Sequence, residues 1–176
     1  FIMPEVVPGT YSTENFGRFL QQFSAYDANG KRLKVKQKNI NRFYIKGATN
    51  LAKVEYYVND TWDDKDAKHF IFQPGGSNIE AGTNFVLNPF AFFGYFDGFK
   101  LNPYKIEVTK PSSFYGSGHL AMQAKSATVD VLSAPNYVYL CDNPMMYCVP
   151  DTTTFQVANS TVKVSVFSTN GIVKSS

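Results

Sequence analysis

Histidine, cysteine and tryptophan are scarce in this chain: two, two and one among 176 residues. The histidines, His69 and His119, lie far apart, and neither is followed by the Glu and second His of an H-E-x-x-H zinc helix. A tetrahedral zinc site holds three or four N, S or O ligands together. Two strand-edge histidines and two remote cysteines announce no such site, so both histidines are expected at the surface. Cys141 and Cys148 match neither a C-x-x-C redox pair nor a zinc-ligand spacing. In an oxidising compartment they would close a small loop. Unpaired thiols acting as small buried hydrophobes are the favoured alternative, because a ring across Asn143-Pro144 is geometrically demanding. No G-x-S-x-G elbow exists for serine hydrolysis. Pro74-Gly75-Gly76-Ser77 lacks the Lys-Ser/Thr of a phosphate loop and reads as a turn. A catalytic Cys148 would need an electropositive setting that the sequence does not offer.

Charge is also thin. Only 18% of residues are charged, against a usual ~25%. No stretch of about 18 apolar residues occurs, so no membrane span is expected. The net charge of +3 comes with one dense basic cluster, Lys31, Arg32, Lys34, Lys36 and Lys38, largely alternating with Leu33, Val35 and Gln37. Period two places those charges on the wet face of a strand. A nucleic-acid groove would spread cations over several elements with aromatics between them, so no nucleic-acid partner is expected. The acidic run Asn59 to Asp66 fails the EF-hand pattern: counted from Asp60, the sixth and twelfth positions hold Lys65 and Ile71 rather than Gly and Glu. It reads as a solvated loop. The chain opens Phe1-Ile2-Met3-Pro4, with no initiator Met and no signal-peptide pattern, as a processed or excised segment does.

What the chain has in quantity is aromatic residues: 16 Phe and 11 Tyr against four Met. Such residues suit a pleated, half-buried surface. A chain of this length buries roughly 70% of its unfolded surface and needs no staple. Prolines at 4 and 8 with Gly9 make residues 1–15 an extended arm. Phe16, Phe19, Leu20 and Phe23 recur at helical spacing and permit a turn or two of helix. Asp27-Ala28-Asn29-Gly30 signals a hairpin between Phe23–Tyr26 and Leu33–Gln37. Further strands are expected over 42–46, 53–58, 70–72, 84–87, 104–109, 120–123, 128–132, 154–157 and 162–167. Residues 133–140 suit a short helix with Pro135 near its start. Short strands at near-regular spacing point to an all-β sandwich, mostly antiparallel, with one or two short helices.

One stretch stands apart. Asn88-Pro89-Phe90-Ala91-Phe92-Phe93-Gly94-Tyr95-Phe96-Asp97-Gly98-Phe99 is crowded with aromatics that neither strand nor helix period explains. Such a loop is either plugged into its own core or covered by something else.

At these residues the chain resembles a known family. Leu51 to Asp60, the loop through Gly94-Tyr95-Phe96, Pro103-Tyr104-Lys105-Ile106 with Lys110-Pro111, and Tyr137 to Pro144 occur in the order seen in the N-terminal domain of the glycyl aminopeptidase family of zinc metallopeptidases. The Pro8-Gly9-Thr10-Tyr11 arm is most similar to Bacteroides-type homologues, which often carry a PDZ domain. The resemblance implies a single non-catalytic β domain over 1–176, with 170–176 beginning a linker to a catalytic domain absent from this chain. It implies zinc in that catalytic domain and no cofactor here. The implied partners are that domain of the same polypeptide and, indirectly, its peptide substrate. It implies a periplasmic, cell-surface or secreted location. No catalytic or metal residue carries over. The residues expected to face the other domain or the substrate are Asn88, Phe92, Phe93, Gly94, Tyr95 and Phe96. The competing expectations are a stand-alone carbohydrate- or protein-binding β-sandwich module and a structural adhesin-like domain.

Overall fold

The computed structural model describes residues 1–9, 12–66 and 70–168. His69 and the expected linker at 170–176 therefore lie outside the described residues. Strands in chain order are β1 (Leu20–Asp27), β2 (Val35–Asn39), β3 (Arg42–Ile45), β4 (Leu51–Val58), β5 (Asn78–Glu80), β6 (Asn84–Leu87), β7 (Tyr104–Thr109), β8 (Tyr115–Gly118), β9 (Met122–Ser126), β10 (Val129–Ala134), β11 (Met145–Cys148), β12 (Asp151–Val157) and β13 (Ser160–Val166). Two short helices, α1 (Pro89–Phe92) and α2 (Tyr137–Cys141), interrupt them. The fold is all-β, and every strand pair among the described residues is antiparallel.

Two sheets make the sandwich, one ordered β7-β10-β9 and the other β5-β6-β11-β8. Strict alternation drives the first. Ile106 is buried on β7 between exposed Lys105 and Glu107, and it stands directly opposite Leu132 of β10. From the second sheet, Met145 and Tyr147 of β11 point into the same core, with Leu87 and Phe85 of β6 as cross-strand neighbours. Phe114, Leu120, Ala134 and Leu140 complete that core. Gly116 makes room for Tyr147: a Cβ on it would sit 2.7 Å from the tyrosine ring.

A second core forms around Met3, Phe16, Phe19, Phe43, Ile71 and Ala91, where the ribbons β1–β4 and β2–β3 meet the N-terminal segment. Residues 1–3 run between β3 and the aromatic stretch, since Ile2 bridges both Arg42 and Tyr95. The chain then doubles back, pairing Val6 with Thr13 and leading into a single 3-10 turn over Phe16–Phe19. The helical spacing at 16–23 thus yields one turn before β1 begins. The turn at Asp27–Gly30 forms, closed by Gly30 N–H to Asp27 O at 3.0 Å. Its flanks share the Tyr26–Arg32 bridge and an Arg32 Nη2 to Ser24 Oγ hydrogen bond (3.0 Å), while the strand ladders run β1 with β4 and β2 with β3. Residues 70–72 form no strand and lead into a 3-10 turn at Gln73–Gly75. The basic residues 31, 32, 34, 36 and 38 are exposed while Leu33 and Val35 are half-buried, as the alternation requires.

A buried polar group sits at the end of the sandwich. Lys110 Nζ donates to Phe114 O (2.8 Å) and Ala127 O (3.0 Å) and lies 4.0 Å from Asp130 Oδ2. The hydroxyl of Tyr147, fully buried, has no hydrogen-bond partner among the described residues. Burying a hydroxyl without a partner costs about 1–3 kcal/mol. Tyr147→Phe should therefore leave the urea-unfolding midpoint unchanged or raise stability by up to about 1 kcal/mol. A loss of that size instead would show that the hydroxyl is satisfied by bound water.

Candidate functional site

The aromatic stretch begins at a polar knot. Asn88 N–H donates to Ser77 Oγ (3.1 Å), its Nδ2 donates to Pro74 O (3.3 Å), and its Oδ1 accepts from Phe90 N–H (3.4 Å), capping α1. Asparagine is a favoured cap because its side-chain oxygen takes an otherwise orphaned helix N–H, and Pro89 fits the first helical position. Ser77 is held in turn by Thr61, whose Oγ1 accepts from Ser77 N–H at 2.6 Å. Asn88 and Ser77 are both buried, so this side chain anchors the stretch from within.

From that anchor the side chains divide between the two cores. Phe90, Ala91 and Phe92 pack on the N-terminal core, and Phe93 packs on the sandwich core. Phe92, Phe93, Tyr95 and Phe96 are half-buried, and Gly94 is buried. Tyr95 exchanges two backbone hydrogen bonds with Ile2, at 2.8 and 2.9 Å. Gly94 has no room for a side chain there, since a Cβ would lie 2.6 Å from both the Ile2 carbonyl oxygen and the Phe1 ring. The Phe1 ring sits among Phe23, Phe43, Tyr56 and Phe96, with centroids 5.2 to 6.5 Å away.

Two tyrosines that sequence patterning did not single out hold the backbone of the stretch. Tyr137 Oη donates to Phe93 O at 2.6 Å, and Tyr56 Oη donates to Phe92 O at 2.8 Å. Both contacts cross dozens of residues, so no local motif signals them. Beside Tyr95 lies a cavity of about 230 Å³, lined in part by Met3, Glu5, Tyr95, Tyr137 and Cys141. Lys100 Nζ stands 4.4 Å from the Tyr95 ring centroid, a cation–π arrangement. The Tyr95 and Tyr137 rings meet at 4.9 Å.

The chemistry of this region is that of aromatic packing and hydrogen bonding. Cys141 and Cys148 are free and buried. Burial pushes the Cys141 thiol up to about 12, so at neutral pH it lacks the thiolate a nucleophile requires. His119 is exposed in the turn between β8 and β9, remote in sequence from the aromatic stretch. In the acidic loop, Asp60 Oδ1 caps the Trp62 N–H (2.6 Å), its Oδ2 accepts from Ile79 N–H, and Asp64 pairs with Arg18. Those carboxylates serve the fold. Among the described residues, no three His, Cys, Asp or Glu side chains are placed to share a metal ion.

Tyr137→Phe removes the donor to Phe93 O and should destabilise the chain by about 1–3 kcal/mol in urea unfolding. Tyr139→Phe, on an exposed ring of the same helix, should change little.

Alkaline pH probes the same hydroxyls. Burial raises both Tyr56 and Tyr104 from an ordinary 10.0 to about 12, and Cys141 from 9.0 to about 12. Tyr137 is pushed higher still, chiefly by burial. Above their ordinary values the unfolded chain releases these protons while the folded chain keeps them. Stability is therefore expected to hold below about pH 9 and to fall as pH climbs towards about 12. Urea midpoints taken across that range, with tyrosinate absorbance at each pH, would reveal the loss; a flat profile would mean the hydroxyls are wet.

Comparison with known proteins gives three findings. A family model described as the peptidase M61 N-terminal domain matches residues 1–149. A solved aminopeptidase N family protein from Idiomarina loihiensis shares the fold, with a TM-score of 0.80 at 18% identity over 95% of this chain. This chain spans only 27% of that protein's length. No curated protein matches it.

Proposed function

Starting from the finding that the chain belongs to the peptidase M61 N-terminal domain family, we propose that it is the non-catalytic β domain of a secreted zinc aminopeptidase of the glycyl aminopeptidase type. The observation that carries this reading is the family match over residues 1–149. In this reading the hydrolytic machinery and its zinc belong to a catalytic domain of the same polypeptide, which in Bacteroides-type homologues is often followed by a PDZ domain. The present domain packs on that catalytic domain and helps shape the cleft for the peptide substrate. The location is periplasmic, cell-surface or secreted.

The physical chemistry of the 88–96 stretch suits a rigid wall better than a moving part. Its backbone is tied by Tyr56, Tyr137 and Ile2, and its cap is buried. A wall fixed on ordered elements holds a ligand more precisely than a free loop does. The half-buried Tyr95 and Phe96, with the cavity beside Tyr95, are the parts of the stretch we assign to the substrate side.

The test compares this chain with the full polypeptide encoded by its reading frame, both assayed on glycine and alanine p-nitroanilides. The full polypeptide should hydrolyse them and lose at least ~100-fold of its rate in 1,10-phenanthroline, as expected when a bound metal generates the nucleophile. This chain alone should show no turnover, and its thermal transition should be the same with and without the chelator. Turnover by the isolated chain, or a full polypeptide indifferent to the chelator, would refute the proposal.

A further inference from the structure

The ribbon formed by β12 and β13 is amphipathic in an unusual sense. Register places Phe155 opposite Val162, Thr153 opposite Val164, Asp151 opposite Val166 and Val157 opposite Ser160. Residues directly opposite in an antiparallel pair share a face. One face therefore carries Phe155, Val157, Val162, Val164 and Val166 together with Thr153 and Ser160, and Asp151 is its one ionisable residue. The other carries Thr152, Thr154, Gln156, Thr161, Lys163 and Ser165. It is the polar side, through Lys163 and Ser165, that lines a groove with Tyr115, Gly116 and Ser117 of β8. The apolar side is left out: Phe155, Val157, Val164 and Val166 are 47%, 54%, 37% and 40% exposed. A strand pair normally turns its apolar face to its own core. An isolated two-stranded ribbon is also marginal in water and needs another layer against it.

Two observations say what that layer is. The family match ends at residue 149, so the ribbon lies just beyond the N-terminal domain as the family defines it. The fold shared with the solved aminopeptidase N family protein covers 95% of this chain. The unmatched 5% is shorter than the 14 residues of β12 and β13, so the shared fold reaches into the ribbon. In that protein the shared fold occupies 27% of the length, leaving most of the chain to serve as a neighbour. We infer that the apolar face of the β12–β13 ribbon is the docking surface for a following domain of the same polypeptide, which meets it with an uncharged, apolar patch. This inference rests on the proposed function and locates its interdomain contact on the ribbon rather than on the 88–96 stretch.

Hydrogen–deuterium exchange on the isolated chain and on the full polypeptide tests it. Amides of residues 151–166 should exchange at least ~10-fold more slowly in the full polypeptide, as burial of a marginal ribbon requires. Phe155→Asp with Val164→Asp should abolish that protection. Thr154→Asp, on the polar side, should leave it intact, and the isolated chain's thermal transition checks that each variant folds. Protection on another surface with none on the ribbon would overturn the inference while leaving the domain reading standing. A reading frame that ends at Ser176, or a full polypeptide with no protection anywhere, would remove the domain reading itself. Protection of the ribbon in the isolated chain that grows with its concentration, alongside a dimer in sedimentation, would assign the face to a second copy and overturn the inference too.

Discussion

The pair of backbone hydrogen bonds between Ile2 and Tyr95 is the contact on which the arrangement of this molecule turns. It fixes the N-terminal segment as an internal strand-like wedge, with Met3 fully buried and the Phe1 ring enclosed by four other aromatic rings. It also fixes the aromatic stretch where its side chains reach both cores. The stretch sends Phe92 into one core and Phe93, its immediate neighbour, into the other. Phe92 is the last residue of α1 and Phe93, at φ −111° and ψ 125°, is extended, so the backbone changes course between the two rings. A segment threaded between two cores serves both in this way only if its backbone is pinned. The pins are Ile2 on one side and the hydroxyls of Tyr56 and Tyr137 on the other.

Polar groups in the interior are used sparingly and to one end. Asn88, Ser77 and Thr61 form a connected set in which each buried side chain meets a backbone partner. Buried polar groups stay compatible with a fold only when satisfied in this way. The set ties the start of the aromatic stretch to the turn at residues 73–77, so the stretch is held at its root and along its length. The Lys110 ammonium plays a comparable part in the sandwich, closing the loops that end at Phe114 and Ala127. Its distance of 4.0 Å from Asp130 Oδ2 marks an ion pair at the limit of contact, so the two carbonyl bonds carry its placement.

How much of this was legible in the sequence depends on the period of each segment. β7 and β10 alternate cleanly between core and solvent, and their positions follow from pattern alone. β11, Met145-Met146-Tyr147-Cys148, is the central strand between β6 and β8, so it is buried without alternating. β8 contains two glycines and no strand pattern marks it in the sequence, although the cross-strand Tyr147 ring requires the space beside Gly116. The turn at 27–30 was legible from Asn29-Gly30, but the partner of β1 was not, because β4 is 24 or more residues away in sequence and pairs on the edge opposite the Tyr26–Arg32 bridge. That the chain is the N-terminal domain of a peptidase was legible from ordered motifs. The tyrosine hydroxyls that brace the aromatic stretch were not, since their acceptors are backbone carbonyls 36 and 44 residues away.

The two surfaces assigned a role differ in kind, and that difference separates what each is able to do. The 88–96 stretch is spent: its aromatic area is largely committed to the chain's own cores, and what it presents outward is position. The β12–β13 ribbon is the reverse, a pair of strands with regular register and a row of mostly exposed branched side chains that belong to neither core among the described residues. Burial of apolar area drives association, whereas a pre-organised wall contributes geometry. Under the proposed reading, adhesion to a neighbour falls to the ribbon and orientation at a cleft to the aromatic stretch. The two roles are compatible because the stretch is braced within its own domain and does not need the neighbour to hold its shape.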